Sequence, residues 1–219
     1  MTTPTPPTQD VRSREFVAPI NGASRGRLVL ARGTADLIVA ADPSLSDLLR
    51  ATFRGPIPDV SVEPEATVVL RYRGTGPIQW LMQSWKARGD VALNPAVAWT
   101  LEFRGGVHRL HADLRALATF EGIEIRGGVG DAEIWMPPPR GTVPLLFAGN
   151  VSRATIHRPH GTPARLSIGG AIAALTFDAD RFGSTGGGVR RETPGWIGSA
   201  DRFEVSVLGN VSDLEITDG

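Results

Sequence analysis

Four histidines, a scatter of carboxylates and a tryptophan-rich stretch are the residues of this chain with the chemistry to build a site. His108 and His111 stand three apart in a segment that reads as a strand. Strand side chains alternate between faces, so the two are expected on opposite sides, unable to chelate one metal. His157 and His160 flank Arg158-Pro159 at an expected corner. Stacked repeats would bring His111 and His157 to comparable outer positions ~9–10 Å apart. A shared metal would need imidazole–metal bonds of about 2.0–2.1 Å. All four histidines are therefore expected in structural or solvent-facing roles, and no metal site is assigned.

Asp113, Glu124, Asp131 and Glu133 are the carboxylates that could pair for acid–base work. They recur with the turns, however, and Asp213 takes the repeat position of Asp131. Asp113 and Asp131 are thus expected to accept backbone N–H groups at tight corners. The stretch "GSTGGGVRRETPGW" looks like a phosphate-cradling loop, but it lacks the order G-x-x-x-x-G-K-[ST] and has no lysine. It reads instead as an exposed loop carrying Arg190, Arg191 and Trp196. No serine sits in a nucleophile elbow. The expectation is a protein with no catalytic residue and no cofactor, not an enzyme.

The strongest remaining candidate is "PIQWLMQSWKARG", where Trp80, Leu81, Met82, Trp85 and Lys86 cluster. It reads as a lid over one open end of a stacked sheet, or as a partner-binding anchor, since Trp and Arg dominate interface hot spots. Trp80, Leu81, Met82, Trp85, Lys86, Arg190, Arg191 and Trp196 form the candidate partner-binding set. Two basic residues beside the tryptophans are too few to favour membrane attachment.

The elements that must position these residues follow from composition and period. The chain has 219 residues, formal net charge +0 and no cysteine. That excludes disulfides and thiolate chemistry, and leaves no field to attract nucleic acid. No run approaches the roughly 18 apolar residues of a membrane span, and the N-terminus lacks a signal peptide's apolar stretch, so a cytoplasmic location is expected. The Thr/Pro-rich residues 1–15 read as a disordered tail, and residues 16–219 as one domain. Within it, antiparallel entry strands cover about 25–75, an aromatic loop or cap about 77–89, and repeats about 90–219.

The repeat is the main signal. Val107, Val129 and Val151 recur every 22 residues, each after a small turn pair: Gly105-Gly106, Gly127-Gly128, Gly149-Asn150. Gly169-Gly170 with Ile172 and Gly209-Asn210 with Val211 continue the series, and Gly33 before "TADLIV" resembles an earlier copy. Two short strands per 22-residue period define an all-β solenoid. One strand pair cannot bury its inner face alone, but stacked copies make continuous apolar columns. Inward positions run from Val107 and Leu110 through Ile123, Ile125, Ile134, Ile156 and Leu166 to Leu214 and Ile216. Corner Gly and Asn are expected to supply positive φ. Pro137, Pro144, Pro159 and Pro163 are expected at the opposite corners.

The order of motifs resembles one family. Leu93-Asn94-Pro95 after a strand, the Gly105-Gly106 corner, the step Asp113-Leu114…Leu117, a second corner with Gly127, Gly128, Gly130 and Asp131, and Pro137…Gly141 are similar to the toast-rack, LiaF-like C-terminal β-solenoid domains of bacteria. The resemblance implies a two-layered or right-handed β-solenoid that works by presenting surface. It brings no catalytic residues.

From the residues, the expected function is a scaffold or protein-interaction module. Self-association is expected through a last strand left open at "VSDLEITDG", so the partner is a second copy or another protein. The alternative is a carbohydrate- or small-ligand-binding protein, or a glycan-active enzyme, using the outward faces of the repeats.

Overall fold

A computed structural model describes residues 13–72 and 87–219. These form an all-β stack of twenty strands and no helix. In chain order the strands are β1 (Ser13–Ala18), β2 (Arg25–Arg32), β3 (Thr34–Ala41), β4 (Leu49–Arg54), β5 (Asp59–Glu63), β6 (Thr67–Arg71) and β7 (Arg88–Leu93). Then come β8 (Ala98–Phe103), β9 (Val107–Asp113), β10 (Phe120–Ile125), β11 (Val129–Trp135), β12 (Thr142–Phe147), β13 (Val151–Arg158) and β14 (Ala164–Ile168). The last six are β15 (Ala171–Phe177), β16 (Asp180–Phe182), β17 (Thr185–Gly186), β18 (Val189–Glu192), β19 (Arg202–Val207) and β20 (Asn210–Asp218).

The strands make two layers. Sheet I runs β1-β4-β7-β3-β9-β11-β13-β20-β15-β16, with β17 also paired to β15. Sheet II runs β18-β14-β19-β12-β10-β8-β2-β6-β5. A rung is one strand of sheet II, a tight corner, and one strand of sheet I, with parallel pairing from rung to rung. The 22-residue period is visible as register: Val129 pairs with Val107 and Val151, Val211 with Val151 and Ile172, and Thr34 with Val107. Every inward position read from the sequence is buried. Columns such as Leu28–Leu101–Ile123–Leu145–Val205–Leu166 fill the space between the layers.

Rung order departs from chain order at both ends. The rung β2–β3 lies between β6–β7 and β8–β9. The rung β19–β20 lies between β12–β13 and β14–β15. The last strand is therefore hydrogen-bonded on both sides, and the open terminal strand expected from the sequence does not exist. The stack is closed instead by antiparallel strands: β1, β4 and β5 at one end, β16, β17 and β18 at the other. The outermost strands β1, β5, β16 and β18 are short and carry charges, which blunts an edge against further pairing.

The corners also differ from expectation. None of the paired corner residues from Gly105-Gly106 to Gly209-Asn210 has a positive φ. Glycine is needed there because successive rungs approach too closely for a side chain. A Cβ on Gly105, Gly127, Gly149, Gly170 or Gly209 would meet backbone atoms of the adjacent rung well inside 3.0 Å. The closeness lets two consecutive N–H groups donate to one carbonyl of the neighbouring rung. Gly149 and Ala148 share Ile125 O, and Gly209 and Leu208 share Phe147 O, at 2.8–3.1 Å. Pro144 is not at a corner but inside β12, opposite Glu204. It is tolerated because the ladder between β10 and β12 begins only at Ile123 and Leu145, so Pro144 lies just outside it and no N–H is needed on that side. Ser13–Glu15, placed in the tail by the sequence reading, belong to β1, paired to β4.

Candidate functional site

The outward face of sheet I carries the densest side-chain chemistry. In each repeat the two residues after the inward valine both face out, so His108, Arg109 and His111 all lie outside the core. The expected opposition of His108 and His111 is removed by that two-residue step. Across the rungs, one column reads Arg88, Asp36, Arg109, Asp131, Arg153, Asp213. Arg109 donates to both Asp36 carboxylate oxygens, from Nε at 2.8 Å and Nη2 at 2.6 Å. Arg153 binds Asp131 at 3.1 Å and lies 4.0 Å from Asp213. Asp131 is thus a mid-strand ion-pair partner rather than a corner residue. Asp113 does accept a backbone N–H, from Arg115 at 3.3 Å, and also holds its guanidinium. The Arg109 and Arg115 hydrogen bonds hold the Asp36 and Asp113 carboxyls below their ordinary range.

Beside this neutralised column lies an aromatic cluster. Trp135 pairs in register with Asp113 on one side and His157 on the other, whereas His111 pairs with Glu133. The two histidines therefore occupy neighbouring columns, not the same one, with the indole between them. The His157 ring stacks on Trp135 at 4.5 Å and 18°, and the His111 ring tilts against it at 4.9 Å. Glu133 lies between the imidazoles, with Oε2 3.3 Å from His111 Nδ1 and Oε1 3.6 Å from His157 Nε2. His157 is oriented by Thr217, whose hydroxyl is 3.1 Å from Nδ1. Arg115 lies 5.9 Å from the indole centroid. A shallow depression of about 400 Å³, lined by Arg115, Trp135, Met136, Pro138, His157 and His160 among others, continues from the cluster. No group of three or more metal-ligating side chains is assembled among the described residues.

Of the candidate residues read from the sequence, Trp80, Leu81, Met82, Trp85 and Lys86 lie outside the described residues. Arg190 and Arg191 are exposed on β18, and the Arg191 guanidinium covers the Phe182 ring at 4.3 Å. Trp196 corrects the sequence reading. It is 3% exposed, pressed between the guanidiniums of Arg165 at 4.2 Å and Arg202 at 4.5 Å. Its neighbour Ile197, 89% exposed, is the apolar residue the loop presents. Trp135 was missing from the sequence-derived set. The signal was its place one residue after the inward Ile134, 22 positions before His157 and so in the same column.

The fold and this face define the molecule as a two-layered, solenoid-like β stack with an aromatic patch on the outer face of sheet I. Comparison with known proteins agrees on the fold. A crystal structure of a candidate cell adhesion protein from Clostridium sporogenes superposes with a TM-score of 0.75 at 16% identity, covering 95% of this chain and 99% of that one. A candidate adhesin from Bacteroides fragilis overlaps at a TM-score of only 0.38 and 10% identity, over 94% of this chain and 98% of that one, and carries no argument. No family model matches the chain, and no curated protein matches it.

Proposed function

We propose that this chain is a non-enzymatic interaction module that presents the outer face of sheet I to a protein partner, with Trp135 as its anchor. One observation carries the reading. A half-buried indole is fixed between two imidazole rings, on a face whose other charges are largely cancelled by cross-strand pairs. A rigid aromatic surrounded by neutralised polar groups is the composition of an interface hot spot. The cell-adhesion name of the Clostridium neighbour points the same way, and a toast-rack relationship belongs to this proposal as well. Self-association remains part of it, but not by edge-to-edge growth. The carbohydrate alternative needs an open aromatic face for stacking, and both faces of Trp135 are flanked by histidine.

The test uses beads carrying the purified chain, or its Trp135→Ala or Trp135→Phe variant, passed over immobilised matrix proteins, cell-wall fragments and glycans. The expected result is retention on a protein surface, reduced about thirtyfold or more by Trp135→Ala and less by Trp135→Phe. Retention that ignores Trp135, or that occurs on glycans alone, overturns the reading.

A further inference from the structure

We infer that the rung β19–β20 is exchangeable, and that a second copy of this chain can donate its own β19–β20 rung into the slot between β12–β13 and β14–β15. This is a route to self-association that does not depend on the aromatic face. The first argument is topological. Rungs β12–β13 and β14–β15 are consecutive in the chain, yet β19–β20 is wedged between them, parallel to both. The connection from β13 to β14 is residues 159–163, no longer than the connections 114–119 and 136–141 that join rungs in direct contact. The same connection therefore serves either stacking order.

The second argument is register. Because β20 pairs in step with both neighbours, direct stacking of β15 on β13 would set Val151 against Ile172, Ala154 against Leu175 and Ile156 against Phe177. On the other layer it would set Leu145 against Leu166 and Phe147 against Ile168. The apolar columns survive removal of the wedge. The polar ones do not. Arg153 would face Ala174 instead of Asp213, and Asn150 would face Ala171 instead of Asn210, whose amide now donates to Asn150 Oδ1 at 3.2 Å. His157 would lose Thr217, and Arg158 would lose Asp218 at 3.3 Å. The slot can thus close without exposing its core, and it recognises the returning rung by hydrogen bonds and charge. Two packings of one sequence related in this way form a bistable element.

The third argument is the hinge. Residues 193–201 join the cap strand β18 to β19. Fully extended, nine residues reach about 30 Å, enough to pass to a neighbouring molecule. The hinge is held by the Arg165–Trp196–Arg202 sandwich, in which Arg165 belongs to β14 and Arg202 is the first residue of the wedge. Exchange of an identical element through such a hinge is domain swapping.

The test exploits the absence of cysteine. The Asn150→Cys/Asn210→Cys full-length chain is unfolded, refolded reduced over a range of protein concentrations, oxidised, and run on non-reducing gels. Exchange yields covalent dimers whose fraction grows with concentration, and adding Trp196→Ala raises the exchange constant about tenfold through loss of the cation–π clamp. Cross-links that stay within one chain at every concentration overturn the inference, as do dimers whose cross-links are all intrachain. Should the cysteine pair impair folding, wild-type chains of two masses are refolded together and examined by native mass spectrometry. Heterodimers that form on co-refolding but not on mixing folded protein support exchange; a purely monomeric product overturns it.

Discussion

At the residue scale, Glu102 shows how charge is placed on this fold. It faces outward from sheet II, yet it is only 3% exposed, because the atoms that cover it are guanidiniums. Arg104 Nε donates to it at 2.5 Å, and Arg27 pairs with its other oxygen. The Arg104 hydrogen bond, ahead of the opposing effect of burial, lowers its pKa. A carboxyl lowered by folding adds stability above its unfolded range, and that stability is lost as pH falls through the folded value. Glu102→Gln is therefore expected to cost about 1–3 kcal/mol at pH 7, with the deficit shrinking as pH falls below about 4. Urea titrations of both proteins from pH 7 to pH 3 check this; a constant gap across the range would refute it. The sequence contained both arginines and the glutamate, but not their meeting, because Arg27 and Glu102 are 75 positions apart. Trp196 was misread for a similar reason. A Gly-rich neighbourhood suggests exposure, and only register reveals the two arginines that enclose its ring.

At the element scale, the corner between layers controls how close the rungs lie. Gly149 and Gly128 look interchangeable in sequence, each one member of a corner pair. The structure separates them. A Cβ on Gly149 would collide with backbone atoms of Arg126 and Gly127, whereas one on Gly128 would find only Asn150 O at 3.8 Å. Backbone cannot step aside as a side chain can, so Gly149→Ala is expected to cost about 2–3 kcal/mol or more. Gly128→Ala should lie within about 1 kcal/mol of wild type. Thermal and urea unfolding of the two variants measures the difference, and equal losses would remove the close-approach account. The small residue at each corner was legible from the period; the reason for it was not, because positive φ and close approach both select glycine. Strand identity was legible too, including "TADLIV" after Gly33, read as an earlier copy of the repeat, which forms β3.

At the scale of the whole molecule, period and order proved to be separate information. Equal spacing tells which side chains share a column, and the columns from Val107 to Ile172 and Val211 were read correctly. It does not tell which rung lies beside which. The order was nonetheless written in the outer charges, since Asp213 fits beside Arg153 and Ala174 does not. The inserted rung also has a folding consequence. β20 needs both β13 and β15 in place before it can make its two ladders, and closing such long-range pairings is slow. Pulse-labelling exchange during refolding is expected to show amides of residues 202–218 protected after those of residues 120–158. Simultaneous protection would argue against late insertion.

The same insertion decides how the molecule meets tension. A force applied at residue 219 does not unzip a border strand one bond at a time. It drags β20 lengthwise against β13 and β15 together, so both rows of bonds must shear at once. β1 is the opposite case, since among the described residues it pairs with β4 alone. Of the described strands, β20 is thus the strong grip and β1 the weak one, and under load the stack should begin to open at β1.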